Sequence, residues 1–378
     1  MKVLMIGNGF DLAHGLETKY TDFLKFVEQF NRVYDINERD SDFYLRSGNF
    51  MQFLVSLFRD NSIESRHIIK EFRQITLENI WVNHFNEVLD VKKNIGENWI
   101  DFEKEIERVI GWMEKSISTC KSFMDIVNLY EREHVTVAFL TDLNIEIEKF
   151  KFTKSSNTEE LEKRLIKKYL NDLDNLIRAL EIYFTLYVYS QIRENFNDDI
   201  ISLKLGENDA IISFNYTDTY NKIYKNNLIA PENIHFIHGN AVLHNNGNNN
   251  MVVGIDETLE GDEINKNLKY VGFKKYFQRI VKDVDASYTN LFKLSEDEYN
   301  EKIEVFVFGH SLDKTDSDII RRIFTAKNSI VTVFSHDHDA QKQQVANLIS
   351  IIGKDELLNS TYRSEPKIRF RIQKKEVN

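Results

Sequence analysis

Glycine placement constrains this chain more than any other feature. Of its 14 glycines, eleven lie in residues 1–15 or 206–378, and only Gly48, Gly96 and Gly111 stand between. Glycine marks tight turns and close backbone approaches. The two ends are therefore rich in turns, and the middle suits long helices. Only two prolines, Pro231 and Pro366, are present to interrupt them. The pattern predicts an α/β domain split in sequence, residues 1–34 and 205–378, with a helical insertion over residues 35–204.

Composition narrows the classes. A chain of 378 residues, 42% hydrophobic, can build two domains or one large domain with an insertion. A net charge of -11 argues against a general nucleic-acid-binding surface. A single cysteine, Cys120, excludes an internal disulfide and a cysteine metal cluster. No secretory signal and no apolar run of transmembrane length can be read, so a reduced, cytoplasmic protein without membrane contact is expected.

The N-terminus opens with Val3-Leu4-Met5-Ile6, an uninterrupted apolar run that reads as a buried parallel strand. It ends in Gly7-Asn8-Gly9, where the backbone can turn sharply and approach a ligand. Amides at the following helix start favour an anion. The third glycine of the dinucleotide fingerprint is missing, because Phe10-Asp11-Leu12 follows. An ordinary strand-to-helix turn is the alternative reading. Thr18 is placed to cap a helix running from Tyr20 to Tyr34, and Asp35 to Gly48 reads as a loop. Further helices are expected over Phe50–Phe58, Ile63–Asp90 and Trp99–Met113, and a possible helical hairpin continues over Phe123–Tyr130. Thr136 to Leu140 is ambiguous between helix and strand. Leu161 to Gln191 is expected as one long helix whose aromatic stripe is core.

After Gly206 short apolar runs return. Strands are expected at Ala210–Ile212, Ile234–Ile237, Met251–Gly254, Glu304–Phe308, Ser329–Phe334 and Lys367–Ile372. Asn245 to Asn250 reads as a loop, and Ile264 to Phe292 as mixed helix. Polar clusters follow the apolar runs repeatedly: Gly7-Asn8-Gly9, Ser213-Phe214-Asn215-Tyr216-Thr217-Asp218, His238-Gly239-Asn240, Gly309-His310-Ser311 and Ser335-His336-Asp337-His338-Asp339. In open parallel sheets, ligands bind outside the carboxyl ends of the strands. Five polar strand ends can converge on one crevice.

These motifs carry a resemblance. Ile6-Gly7-Asn8-Gly9-Phe10-Asp11-Leu12-Ala13-His14-Gly15-Leu16, Ser213 to Asp218, and Gly309-His310-Ser311-Leu312 with Asp313 and Asp316 resemble the phage abortive-infection AbiH family across nearly the whole chain. More remotely, Gly7-Asn8-Gly9, Asn215-Tyr216, His238-Gly239 and Gly309 to Leu312 are similar in order to sirtuin-like NAD-cleaving proteins of bacterial defence. That resemblance implies a sirtuin-like, Rossmann-like parallel sheet and an NAD+ hydrolase. It implies catalytic roles for Asn215, holding ribose hydroxyls or the attacking water, and for His238 as general base. Gly7, Asn8 and Gly9 would lie over the pyrophosphate, Ser311 against phosphate or ribose, and Ser335 and His336 near the adenosine half. Phe10, Asp11, Tyr216, Asp218, Gly309, His310 and Asp316 complete the implied cofactor-binding set. Asn8, Thr217 and His310 depart from the sirtuin-like pattern.

The chemistry stands beside the resemblance. Cleaving the nicotinamide–ribose bond passes through an oxocarbenium-like state, and the leaving group needs no protonation. An imidazole that titrates near neutrality can accept the proton of the attacking water. Taken alone, a buried histidine bonded to a carbonyl and a turn-forming asparagine are the plain readings of His238 and Asn215. Two other functions remain open. His336, Asp337, His338 and Asp339 with His238, Asn240 and His310 could hold two metals for phosphodiester cleavage, although no metal is expected. A nucleotide-binding sensor or scaffold without catalysis is the other. The expected partners are NAD or a related nucleotide, a phage-derived trigger, and a second copy through the helical insertion.

Overall fold

The computed structural model describes residues 1–35, 49–60, 62–116, 120–132, 135–152, 158–224, 229–243, 249–255, 268–292 and 302–374. The Asp35–Gly48 loop, except Asp35 itself, and most of the Asn245–Asn250 loop lie outside these residues.

Six parallel strands form one sheet: β1 (Lys2–Ile6), β2 (Ala210–Ser213), β3 (Ile234–Phe236), β4 (Ile303–Phe308), β5 (Ser329–Ser335) and β6 (Ile368–Ile372). Their spatial order is β3-β2-β1-β4-β5-β6. This is the doubly wound order, in which the strand sequence reverses beside β1. β1 pairs Val3 with Ala210 on one side and with Val305 on the other. Residues of β1 alternate between two apolar layers, as the period of a strand requires. Val3 and Met5 join a core with Ile319, Ile320, Ile323 and Phe324 of α13 (Ser317–Thr325). Leu4 and Ile6 join another with Phe10 of α1 (Asn8–Ala13) and Tyr220 and Ile223 of α11 (Thr219–Ile223). Burial on both faces explains why β1 reads as a continuous apolar run.

Between β1 and β2 the chain builds a helical layer: α2 (Tyr20–Asp35), α3 (Asn49–Arg59), α4 (Ile63–Leu77), α5 (Ile80–Asn94), α6 (Phe102–Ser116), α7 (Phe123–Arg132), α8 (Val137–Phe152), α9 (Thr158–Ile182) and α10 (Asp198–Ser202). Its core is aromatic: Phe26 packs edge-on to Phe72, and Phe85 stacks on Phe102 at 3.9 Å. This core also takes in Tyr216, Met251, Val253, Tyr270 and Phe273 from the later chain, so the helices pack directly over the strand-end loops. The remaining helices are α12 (Lys275–Val281), α14 (His338–Ile352) and α15 (Lys354–Thr361).

Several expectations change in detail. Ile63 to Asp90 is two helices, broken where the Asn79 side chain accepts from the amides of Trp81 and Val82 and caps α5. The ambiguous Thr136–Leu140 segment opens α8. The long helix through Gln191 is α-helical only to Ile182; a π turn (Tyr183–Tyr187) and a 3-10 turn (Val188–Gln191) complete it. Tyr183 donates to the Glu17 carbonyl and Tyr187 to the Glu17 carboxylate, and Phe184 borders the cavity below. Met251–Gly254 is not a strand. Side chains satisfy its carbonyls instead of a neighbouring strand: Lys282 bonds Met251, Tyr216 bonds Val252 and Gln278 bonds Val253. Thr18 donates its hydroxyl to Asn8 Oδ1, which ties the start of the helical layer to the first strand-end loop.

Candidate functional site

A cavity of about 370 Å³ opens at the carboxyl ends of β1, β2, β3 and β4. Its floor comes from Gly7–Gly9, Asn215–Thr217, His238 and Gly309–Ser311. The helical layer closes the other side with Tyr20, Trp99–Asp101, Glu103 and Phe184. The reversal of strand order beside β1 is where a doubly wound sheet parts its loops, and the cavity lies there.

The two glycine loops interlock. A Cβ on Gly7 would lie 2.8 Å from His310 Cα, and one on Gly9 would lie 2.8 Å from Gly309 Cα. Gly309 has φ +69, and a Cβ there would sit 2.1 Å from the Phe10 nitrogen. Only glycine fits such backbone contact. The contact uses up amides: Gly9 donates to Gly309 at 2.7 Å, Gly7 to Phe308 at 3.1 Å and Phe10 to Gly7 at 2.8 Å. The expectation that the Gly7 and Gly9 amides face an anion is therefore corrected. The glycines let two loops meet, and their N–H groups are already paired.

At the centre is Asp316. Its Oδ1 accepts from His238 Nε2 at 2.9 Å and from Lys275 Nζ at 3.0 Å. His310 Nε2 lies 3.6 Å from its Oδ2. The Leu312 amide donates to His310 Nδ1 at 2.9 Å, so Nε2 carries the proton of that ring and faces the carboxylate. Burial works against the Asp316 charge, but Lys275 and His238 outweigh it and hold the carboxyl well below its ordinary range. An ionised carboxylate only accepts, so the proton of His238 sits on Nε2. Its Nδ1 then presents a lone pair, and that atom is buried without a protein partner. Burial first, and Lys275 second, push His238 down from 6.5 to about 4. The imidazole is neutral at neutral pH and is a weaker base than an exposed histidine, which corrects the near-neutral titration expected of it.

Lys275 is 1% exposed and also pairs with Glu103 Oε2 at 2.7 Å. Burial would discharge this lysine, but Asp316 and Glu103 keep it protonated and raise its pKa. Glu103 moves the other way from most paired acids. Burial, only partly offset by Lys275 and reinforced by Asp316, lifts it from 4.5 to about 7. One lysine cannot fully neutralise two buried carboxylates, so Glu103 holds a proton for part of the time at neutral pH. Five carboxylates line the cavity: Asp11, Asp101, Glu103, Asp313 and Asp316. Lys275 pairs with Glu103 and Asp316, and Lys104 with Asp101 and Asp313, so Asp11 is the lining carboxylate without a cation among the described ion pairs.

Among the residues singled out from sequence, Gly7, Asn8, Gly9, Asp11, Asn215, Tyr216, His238, Gly309, His310, Ser311 and Asp316 all border this cavity. Asn215 donates Nδ2 to the Gly7 carbonyl at 3.0 Å, which fixes its side-chain amide against the β1 loop at the cavity wall. Tyr216 commits its hydroxyl to Val252, and Asp316 is held by two imidazoles and a lysine. Four residues lie elsewhere. Phe10 is core, edge-on to Phe308. The Asp218 carboxylate accepts from Asn221. Ser335 donates to Gln344 at 2.6 Å inside the fold. His336 is exposed beside Asp337. With His336 on the surface, the donor set for two metals does not assemble. Among the described residues no three His, Cys, Asp or Glu side chains group to hold a metal ion. Glu103, Lys275, Trp99 and Asp101 were not legible as site residues, because they carry no motif and arrive by long-range packing.

Fold and site together define a doubly wound α/β protein whose strand-end crevice is roofed by an inserted helical layer. The chain belongs to the AbiH family: the model described as bacteriophage abortive infection AbiH matches residues 3–336. Its function is abortive infection against bacteriophage. No curated protein and no solved structure matches the chain. Among the described residues no helix is long and apolar enough to cross a membrane.

Proposed function

We propose that the cavity binds NAD and cleaves its nicotinamide–ribose bond, so that abortive infection acts by draining the cell of NAD. One observation carries the reading: His238 borders an acid-lined cavity, its Nε2–H is held by Asp316, and its Nδ1 lone pair has no partner. The bond from C1′ to the ring nitrogen breaks, and its electron pair leaves with neutral nicotinamide. Positive charge develops on the ribose, where buried carboxylates stabilise it. The water oxygen attacks C1′, and its proton passes to His238 Nδ1. Asp316 stabilises the imidazolium that forms. Asn215 Oδ1 orients the water or a ribose hydroxyl. The products are ADP-ribose, nicotinamide and a proton.

The acidic interior suits the cationic nicotinamide ring. It does not suit the pyrophosphate, for which Gly7, Asn8 and Gly9 had been the expected cradle. That same commitment of loop amides, with the depressed basicity of His238, favours a second reading: a sensor that binds the nucleotide without turning it over. Incubation with NAD separates the two. Free nicotinamide is expected, and Asn215→Ala and His238→Ala should each abolish it. Turnover that survives both substitutions refutes the mechanism. Saturable NAD binding with no turnover, even with phage components added, establishes the sensor. In cells expressing the protein, NAD should fall on phage challenge.

A further inference from the structure

Trp99 borders the cavity yet is 53% exposed, whereas Phe214 and Tyr216 on the same lining are 8% exposed. It therefore stands at the solvent end. Lys92 Nζ lies over the indole, 4.0 Å from the ring centroid, and is itself 3.8 Å from Glu97. The ammonium is drawn to the negative face of the ring and holds the indole in place. A platform already bearing one cation is a poor seat for another.

We infer that Trp99 is the stacking platform for a neutral purine, the adenine end of the dinucleotide. The inference rests on the nucleotide reading above and adds an orientation to it. The deep end takes the positive pyridinium ring beside Asp11, the lining carboxylate that no cation pairs among the described ion pairs, while Lys275 holds Glu103 and Asp316; the indole beneath Lys92 takes the uncharged base. Size agrees with this division. Small-molecule clefts run from about 300 to 1,000 Å³, and this cavity, at about 370 Å³, is small. One half of a dinucleotide fills it, and the other half reaches the mouth, where an exposed aromatic face offers stacking that any purine can use.

Binding rather than turnover tests this. Calorimetric titration with ADP-ribose and with nicotinamide mononucleotide, on wild type, Trp99→Ala and Trp99→Phe, gives six affinities to compare. Loss of one base–aromatic stack should weaken ADP-ribose by roughly 5- to 150-fold in Trp99→Ala. Trp99→Phe should recover most of that loss, and nicotinamide mononucleotide should bind all three proteins alike. ADP-ribose should also quench wild-type tryptophan fluorescence, and the quench should be lost in Trp99→Phe. Unchanged ADP-ribose affinity in Trp99→Ala, with the mononucleotide still bound, overturns the platform and leaves the nucleotide site standing. Equal weakening of both ligands overturns it as well, since it assigns Trp99 a structural role. Failure of both ligands to bind wild type refutes the nucleotide reading itself, and the platform with it.

Discussion

Asp11 should be a residue that weakens the protein at neutral pH. It is 1% exposed, it accepts from Thr217, and its Oδ1 is buried without a hydrogen-bond partner. Burial raises its pKa from 3.8 to about 6, against the opposing hydrogen bond from Thr217. An acid whose pKa rises on folding binds its proton more tightly in the native state. The cost of ionising it is absent below pH 3.8, grows between 3.8 and about 6, and is complete above. At about 1.4 kcal/mol per pH unit, the full cost is about 3 kcal/mol. Asp11→Asn removes the charge and keeps an oxygen for Thr217, but it places an amide donor where Asp11 Oδ1 has no partner, which offsets about 1–2 kcal/mol. The net gain expected at pH 7.5 is about 1–2 kcal/mol, falling below about 1 kcal/mol at pH 5 and gone by pH 4. Urea unfolding midpoints of wild type and variant at these three pH values measure it. A gain that does not change with pH, or a loss at pH 7.5, would refute the burial argument. Because Asp11 lines the cavity, the stabilised variant should release nicotinamide more slowly than wild type, the trade expected of a charge retained for function.

Two further expectations follow from the same geometry. Gly309→Ala forces a side chain onto a left-handed residue and against the Phe10 nitrogen, so it should cost at least about 2–3 kcal/mol and sharply reduce folded yield; a variant as stable as wild type would show that the two loops do not interlock. The acid limb of kcat/KM for NAD should fall near pH 4–5, because His238 must be neutral and is held at about 4. A limb near 6.5 would contradict that burial, and an inflection near pH 7 should disappear in Glu103→Gln.

Much of this arrangement could be read from residues. The strands at Val3, Ala210, Ile234, Val305, Val331 and Ile368 are local apolar runs and each was legible; Met251–Gly254 also read as a strand and is not one. That segment is as apolar as a strand but has side-chain donors where a neighbouring strand would lie. Recurrence of Asn, His, Ser and Gly directly after strands marked the crevice, since parallel strands deliver their carboxyl ends to one edge. Recurrence alone could not tell a side chain facing the cavity from one facing the core. Ser335 sits within such a cluster and Phe10 directly follows one, and both turn inward, because neighbours distant in sequence, Gln344 and Phe308, complete their packing.

Glycine spacing and strand periodicity are short-range properties, and they carried the α/β class, the helical middle and the strand-end loops. The electrostatics of the site are long-range. Lys275 meets Glu103 and Asp316 only because α6 packs over the sheet's edge, and the burial that packing imposes moves Glu103 up and His238 down. Charge states in a low-dielectric interior depend on which groups are brought within a few ångströms. No window of sequence contains that information. The N-terminal glycines show the same divide: their need for close backbone contact was visible in the chain, but the partner, Gly309 rather than a phosphate, was settled only when β1 and β4 came side by side.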